Sequence, residues 1–162
     1  MTRVRYALAL LLALALAACG FQLRGSARLP FETIYVPGSA GGIGLELKRT
    51  IQSGTSTRVV DAPKDAQAIL EFSGEAREKE ILSLTGAGRV REYRLRLRVG
   101  YRVHDGKGRL YVAPTTLAQL RDVTFNDSIV LAKEAEEQLL YQDMQTDMVQ
   151  QILRQLEAAQ LK

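Results

Sequence analysis

Residues that carry chemistry are scarce in this 162-residue chain, which has one cysteine, Cys19, and one histidine, His104. A single cysteine excludes an intramolecular disulfide, so the folded part must stand on its packed core. One histidine beside one cysteine leaves His-based triads and most metal sites short of parts. No Gly-x-Ser-x-Gly elbow occurs. Gly38, Gly41, Gly42 and Gly44 have neither the Gly-Lys-Ser/Thr ending of a phosphate loop nor the spacing of a dinucleotide fold, so they read as a flexible connection. No internal repeat is visible. His104 adjoins an Asp-Gly turn and reads as a solvent-facing imidazole, and Glu134, Glu136 and Glu137 beside Lys133 read as a solvated helix face. Nothing here assembles a catalytic centre, and the expectation is a protein that is not an enzyme and holds no metal.

A long apolar run is missing too. Ala7 to Ala18 is unbroken Ala and Leu, but it falls short of the roughly 20 residues a membrane-spanning helix needs. With Arg3 and Arg5 ahead of it, the run reads as a secretory signal. It ends in Leu16-Ala17-Ala18-Cys19, which resembles the lipobox of bacterial lipoproteins. That resemblance implies a covalent diacylglycerol and an N-acyl chain such as palmitate on Cys19, with no other cofactor. The other reading is a plain signal that leaves Cys19 as an unpaired thiol. Each buried acyl methylene contributes about 0.8 kcal/mol, so several chains hold a domain at a membrane where one alone is marginal. Gly20 stands where Asp would favour retention at the inner membrane, so the outer membrane is expected. The layout is then a signal peptide over 1–18, a lipidated tether over 19–30 and one domain over 31–162. The formal charge of +4 includes Arg3 and Arg5 of the leader, and the mildly basic remainder gives no argument for nucleic acid.

Within the domain, Glu32 to Val36 is a short strand candidate stopped by Pro37-Gly38. A helix begins at about Ile43, stacks Leu47 and Ile51 on one face, and ends at Ser53-Gly54. Arg58 to Val60 is a short extended piece, and Ala66 to Glu75 alternates. Gly86-Ala87-Gly88 marks a loop. From Tyr93 to Val103 an apolar residue falls at every second position, interleaved with Arg94, Arg96, Arg98 and Arg102. Asp105-Gly106-Lys107-Gly108 is a hairpin turn, and Leu110 to Val123 returns, with Pro114 implying an edge or a bulge. Asp127 to Ala159 lacks Pro and Gly and repeats Leu140, Met144, Met148 and Ile152 at i+4, with Asp127 or Ser128 as cap. The order of elements predicts an α+β fold: two helices packed on one face of a mostly antiparallel sheet.

Arginine clustering is the remaining signal. Periodicity alone reads Arg94 to Arg102 as a solvated sheet face partly offset by Glu71 and Glu75 on a neighbouring strand. Arg89 and Arg91, next to the glycine loop, read equally as solvated charges or as an anion site, since guanidinium matches phosphate in bidentate fashion. In the periplasm the abundant phosphorylated amphiphile is lipopolysaccharide.

The stretch Cys19-Gly20-Phe21-Gln22-Leu23-Arg24-Gly25 resembles the opening of the LptE family of lipopolysaccharide-assembly lipoproteins. Glu92-Tyr93 after a glycine loop, and Leu131-Ala132-Lys133 before an acidic helical turn, match as well. Gln22 stands where a histidine is common, and the long polar tail of some members is missing. The resemblance implies two helices packed on one face of a four-stranded mixed, mostly antiparallel sheet, and a plug inside the large β-barrel protein LptD at the outer membrane, assisting its assembly and the insertion of lipopolysaccharide into the outer leaflet. It implies lipopolysaccharide contact through Lys133, with Arg89 and Arg91 the nearest substitutes for a basic residue on the loop. A plug must also offer a polar surface to a water-filled lumen, and Arg94, Arg96 and Arg98 supply one. The competing readings are a stand-alone lipoprotein that shuttles an apolar ligand and a lipid-anchored hydrolase.

Overall fold

The alternating stretch around Tyr93 becomes the middle of a long central strand. The computed structural model describes residues 28–38, 42–124 and 130–160. In chain order they form β1 (Thr33–Tyr35), α1 (Gly42–Gly54), β2 (Arg58–Val60), β3 (Ala68–Leu84), β4 (Val90–His104), β5 (Leu110–Thr124) and α2 (Val130–Glu157). The leader, Cys19, most of the tether, and the cap candidates Asp127 and Ser128 lie outside the described residues.

The sheet is mixed, in the order β2-β1-β3-β4-β5, and has five strands rather than four. The extra one is β2. Its three residues align Arg58 to Val60 with Thr33 to Tyr35, in parallel, which requires a crossover between the two strands. The helix α1 supplies that crossover. β1 also runs parallel to the start of β3, while β3, β4 and β5 form an antiparallel meander. A three-residue parallel strand carries too little periodicity to show as a separate sheet member.

Both helices cover one face. On α1, Ile43, Leu47 and Ile51 recur at i+4 and are fully buried. Close seating of this helix depends on Gly44, where an added Cβ would sit 2.7 Å from the Pro37 carbonyl oxygen. On α2, Met144, Met148, Ile152 and Leu156 form the buried row, against Leu95, Leu97, Val99 and Val103 of β4. Each such side chain contributes about 1.5–3 kcal/mol when removed from water. The Tyr101 hydroxyl donates to Gln155 from within this core, and burial pushes its phenol pKa up to about 12.

Lengths decide what stays uncovered. β3 has 17 residues and α1 only 13, so roughly 55 Å of strand lies beside about 20 Å of helix. The second half of β3 and the start of β4 therefore project as a hairpin beyond α1, and β3 is mostly exposed from Ser73 onward. Two ladder irregularities punctuate β3, at Phe72/Gly74 and around Ser83. At the tip, Thr85 N donates to Arg89 O at 2.7 Å and Gly88 N to Thr85 O at 2.9 Å. Gly88 has φ +75°, a conformation that favours glycine.

Candidate functional site

On the face of β4 opposite the helices stand Arg94, Arg96, Arg98 and Arg102, and the neighbouring strands answer them. Arg94 grips Asp122 of β5 in bidentate fashion, Nε to Oδ1 at 2.7 Å and Nη2 to Oδ2 at 2.8 Å. Arg96 reaches Glu78 at 3.3 Å and Glu80 at 3.7 Å on β3, and Arg98 donates to Glu78 in a short contact. Arg102 Nε donates to Glu71 Oε2 at 2.7 Å. The stripe is a lattice of cross-strand ion pairs, as register dictates, because Glu71, Glu78 and Glu80 lie directly opposite Arg102, Arg96 and Arg94. The hydrogen bond from Arg94 holds the Asp122 carboxyl below its usual value, and the Arg102 hydrogen bond, then that of His104, does the same to Glu71. Glu75 is not part of this lattice; it pairs in register with Val99.

His104 is not the solvent-facing imidazole expected from its place beside a turn. Only 15% of its side chain is exposed, and Nε2 lies 3.1 Å from Glu71 Oε1. Nδ1 accepts the Gly106 N–H at 3.0 Å. Since Nδ1 accepts, the neutral ring carries its proton on Nε2. The imidazole locks the β4–β5 turn, whose other anchor is Asp105, accepting from Lys107 N and Arg109 N.

The hairpin tip has the opposite chemistry. Ile81, Leu82 and Leu84 are exposed by 58%, 39% and 56%, and they lead directly into the loop that carries Arg89 and Arg91, both exposed. Apolar side chains and guanidinium groups thus share one projecting end. The lone sequence signal was Ile81-Leu82-Ser83-Leu84 before a glycine loop, an apolar run too short to separate a surface patch from a buried strand.

Beneath the tip, the N-terminal half of α2 docks on the hairpin through polar contacts. Lys79 Nζ donates to Glu137 Oε2 at 2.6 Å and lies 4.0 Å above the Tyr93 ring. Burial works against the charge on Lys79, yet Glu137 and the neighbouring tyrosines outweigh it and hold the ammonium above its ordinary pKa. Arg77 sits over the Tyr141 ring at 5.2 Å, and the Tyr141 hydroxyl donates to Glu78 O at 3.0 Å. Lys133 forms an i,i+3 pair with Glu136 at 2.7 Å. The fold places Lys133 on α2 one turn before Glu137, the residue that meets Lys79 of the hairpin.

Two surface depressions are lined by charged, polar and small residues. One of about 240 Å³, where Gly74 faces Gly100, is lined by Ser73, Glu75, Arg98 and Thr116. Another, of about 580 Å³, is lined by Lys79, Glu134, Glu137 and Gln138. Neither is lined by the large apolar side chains that typify a pocket for an apolar molecule. Among the described residues no group of three or more His, Cys, Asp or Glu is placed to hold a metal, and no helix is long and apolar enough to cross a membrane.

Comparison with known proteins follows the same outline. A family model described as LptE, lipopolysaccharide-assembly, matches residues 31–156. The LPS-assembly lipoproteins LptE of Yersinia pestis (strain Pestoides F) and Yersinia pseudotuberculosis serotype O:1b (strain IP 31758) are each 31% identical over 160 residues, covering 92% of this chain and 74% of theirs. The solution structure of lipoprotein B from Nitrosomonas europaea is 43% identical, with a TM-score of 0.73 over 86% of this chain and 91% of that one. A minor lipoprotein from Acinetobacter baumannii, 22% identical, shares the fold with a TM-score of 0.65 over 83% of this chain and 98% of its own.

Proposed function

The chain belongs to the LptE, lipopolysaccharide-assembly family of non-enzymatic lipoproteins, and from this we propose that it is the outer-membrane plug of an LptD β-barrel. In this reading acyl chains on Cys19 tether it to the inner leaflet, facing the periplasm and the barrel lumen. It helps the barrel fold, fills it, and assists the passage of lipopolysaccharide to the outer leaflet. The observation that carries the reading is the family match across almost the whole folded domain, residues 31–156.

Chemistry at two surfaces supports it. The hairpin tip joins exposed Ile81, Leu82 and Leu84 to Arg89 and Arg91, and lipopolysaccharide is a phosphorylated amphiphile that needs both kinds of contact. We assign Arg89, Arg91 and Lys133 to the lipid. The helix-free sheet face, with Arg94, Arg96 and Arg98 held by carboxylates, is assigned to the watery lumen of the barrel. A lattice of satisfied charges stays soluble there without demanding a matching charge on the wall.

The test is depletion of the protein in its native envelope, followed by purification of the tagged full-length lipoprotein from outer membranes. Co-purification of the barrel, with newly made lipopolysaccharide stalled before the surface, is the expected result. An intact surface layer after depletion, with no barrel recovered, overturns the proposal.

A further inference from the structure

The two flanks of the antiparallel meander are guarded very differently. Beyond Ile69, β3 has no strand on its β1 side among the described residues. That flank carries charge, which discourages further pairing: Glu71, Glu75, Arg77, Glu78, Lys79 and Glu80 lie along the strand. The other flank is β5, last in the sheet. Its two register shifts lie at the start of the strand, between the Tyr101–Thr115, Val103–Val112 and His104–Leu110 pairs, and from Thr115 to Thr124 the ladder to β4 is unbroken.

This run of β5 carries only two charges, and both are occupied. Arg121 Nη2 binds Asp147 of α2 at 2.7 Å, and Asp122 is held by Arg94. Leu120 is 45% exposed on the helix-free face. A strand whose few charges are already paired, with a backbone edge that no strand among the described residues takes up, is a template for one more strand.

We infer that the outer edge of β5, Thr115–Thr124, receives an extended, uncharged segment of the barrel partner and adds it to the sheet as a sixth strand. The inference rests on the proposed partnership and names its contact. The edge presents backbone N–H and C=O groups, which only an extended chain satisfies in series. Side chains of the incoming strand meet Thr116, Ala118 and Leu120 on one face and Leu117 and Gln119 on the other, so apolar and hydroxylated residues fit and charged ones find no free counter-ion. The contrast with β3 gives the direction: six charged residues lie along Glu71–Glu80 and two along Thr115–Thr124.

Amide hydrogen exchange reads this directly. The full-length lipoprotein, alone and in complex with its barrel, is pulsed with deuterium, quenched and followed amide by amide. Strand addition predicts that every second amide from Thr115 to Thr124, the set not bonded to β4, slows by roughly tenfold or more on complex formation, while β3 amides on the opposite flank do not. Leu120→Lys, a change on an exposed side chain, should abolish that alternate protection and reduce recovery of the complex, with the melting temperature of the free protein unchanged. If the complex is recovered and the alternate amides do not slow, the edge inference is overturned and the partnership stands. If no complex forms at all, both are overturned. Alternate protection already present in the free chain and growing with its concentration assigns the edge to a second copy, and likewise overturns the proposed occupant.

Discussion

The Lys79 ammonium lies 4.0 Å above the ring of Tyr93. The same ammonium closes an ion pair with Glu137, whose side chain is only 18% exposed, so one cation fastens α2 to two strands of the hairpin. Replacing it by methionine keeps the aliphatic stem and removes both interactions. Because 46% of the Lys79 side chain is exposed, solvent screening discounts the pair, and the expected loss is about 1 kcal/mol. Urea unfolding of Lys79→Met against wild type measures it. An unchanged midpoint would mean that the hairpin needs no such fastener.

Acid should weaken the arginine lattice in a defined window. The Glu71 and Asp122 carboxyls are held below their ordinary values of 4.5 and 3.8 by Arg102 and Arg94 respectively. A carboxyl with a depressed folded pKa stabilises the fold above its unfolded value and loses that contribution as pH falls through the folded one. Thermal melts should therefore be nearly flat from neutral pH to about pH 5 and fall below about pH 4. Removing the arginines, with Arg94→Leu and Arg102→Leu together, should make the acid limb shallower. A limb just as steep in the double variant would place the acid sensitivity elsewhere.

Much of this arrangement was legible from residue order because period-two and period-four patterns were clean where burial is one-sided. Tyr93 to Val103 had to be a half-buried strand, and Met144, Met148 and Ile152 had to share a helix face. The family motifs could be placed on those elements. β2 was not legible as a sheet member, because Arg58, Val59 and Val60 are too few to show a period and their pairing is decided by the distant Thr33 to Tyr35. Nor was the full extent of β3. Its second half, Ala76 to Glu80, is charged on both faces, since one face answers the β4 arginines and the other answers α2 through Arg77 and Lys79. His104 failed for the same reason: its burial depends on Glu71, a strand away.

Two glycines of α1 should respond oppositely to alanine. Alanine gains about 1 kcal/mol over glycine in a helix interior. At Gly44 the new Cβ would lie 2.7 Å from the Pro37 carbonyl oxygen and 3.2 Å from Phe72 Cε2, and backbone cannot yield cheaply. Overpacking of this kind costs about 1–3 kcal/mol, so Gly44→Ala should be destabilising on balance. Gly54, with nothing within 4 Å of the added atom, should accept alanine with no loss or a small gain. Paired chemical-denaturation curves decide it, and a stabilised Gly44→Ala would show that α1 does not sit as closely on Pro37 as described.

At the hairpin tip the charges and the apolar residues should fail separately. If Arg89 and Arg91 take phosphate, each alanine variant loses a charge-assisted contact of about 1.5–3 kcal/mol, or on the order of tenfold or more in affinity for lipopolysaccharide. Losses should shrink as salt rises, because the guanidinium groups are exposed. Arg96→Ala and Arg98→Ala should change binding by less than about twofold, since Glu78 already occupies both side chains and an internally paired cation has little charge left to offer. Serine at Ile81, Leu82 and Leu84 together should weaken binding of the acylated lipid and leave its deacylated saccharide phosphate unaffected, because only the acyl chains gain from apolar surface. Titrating both ligands against the mature domain and these variants separates the two contributions. Equal losses from Arg96→Ala and Arg91→Ala would move the lipid contact from the tip to the sheet face, and an unselective serine triple would remove the acyl chains from it.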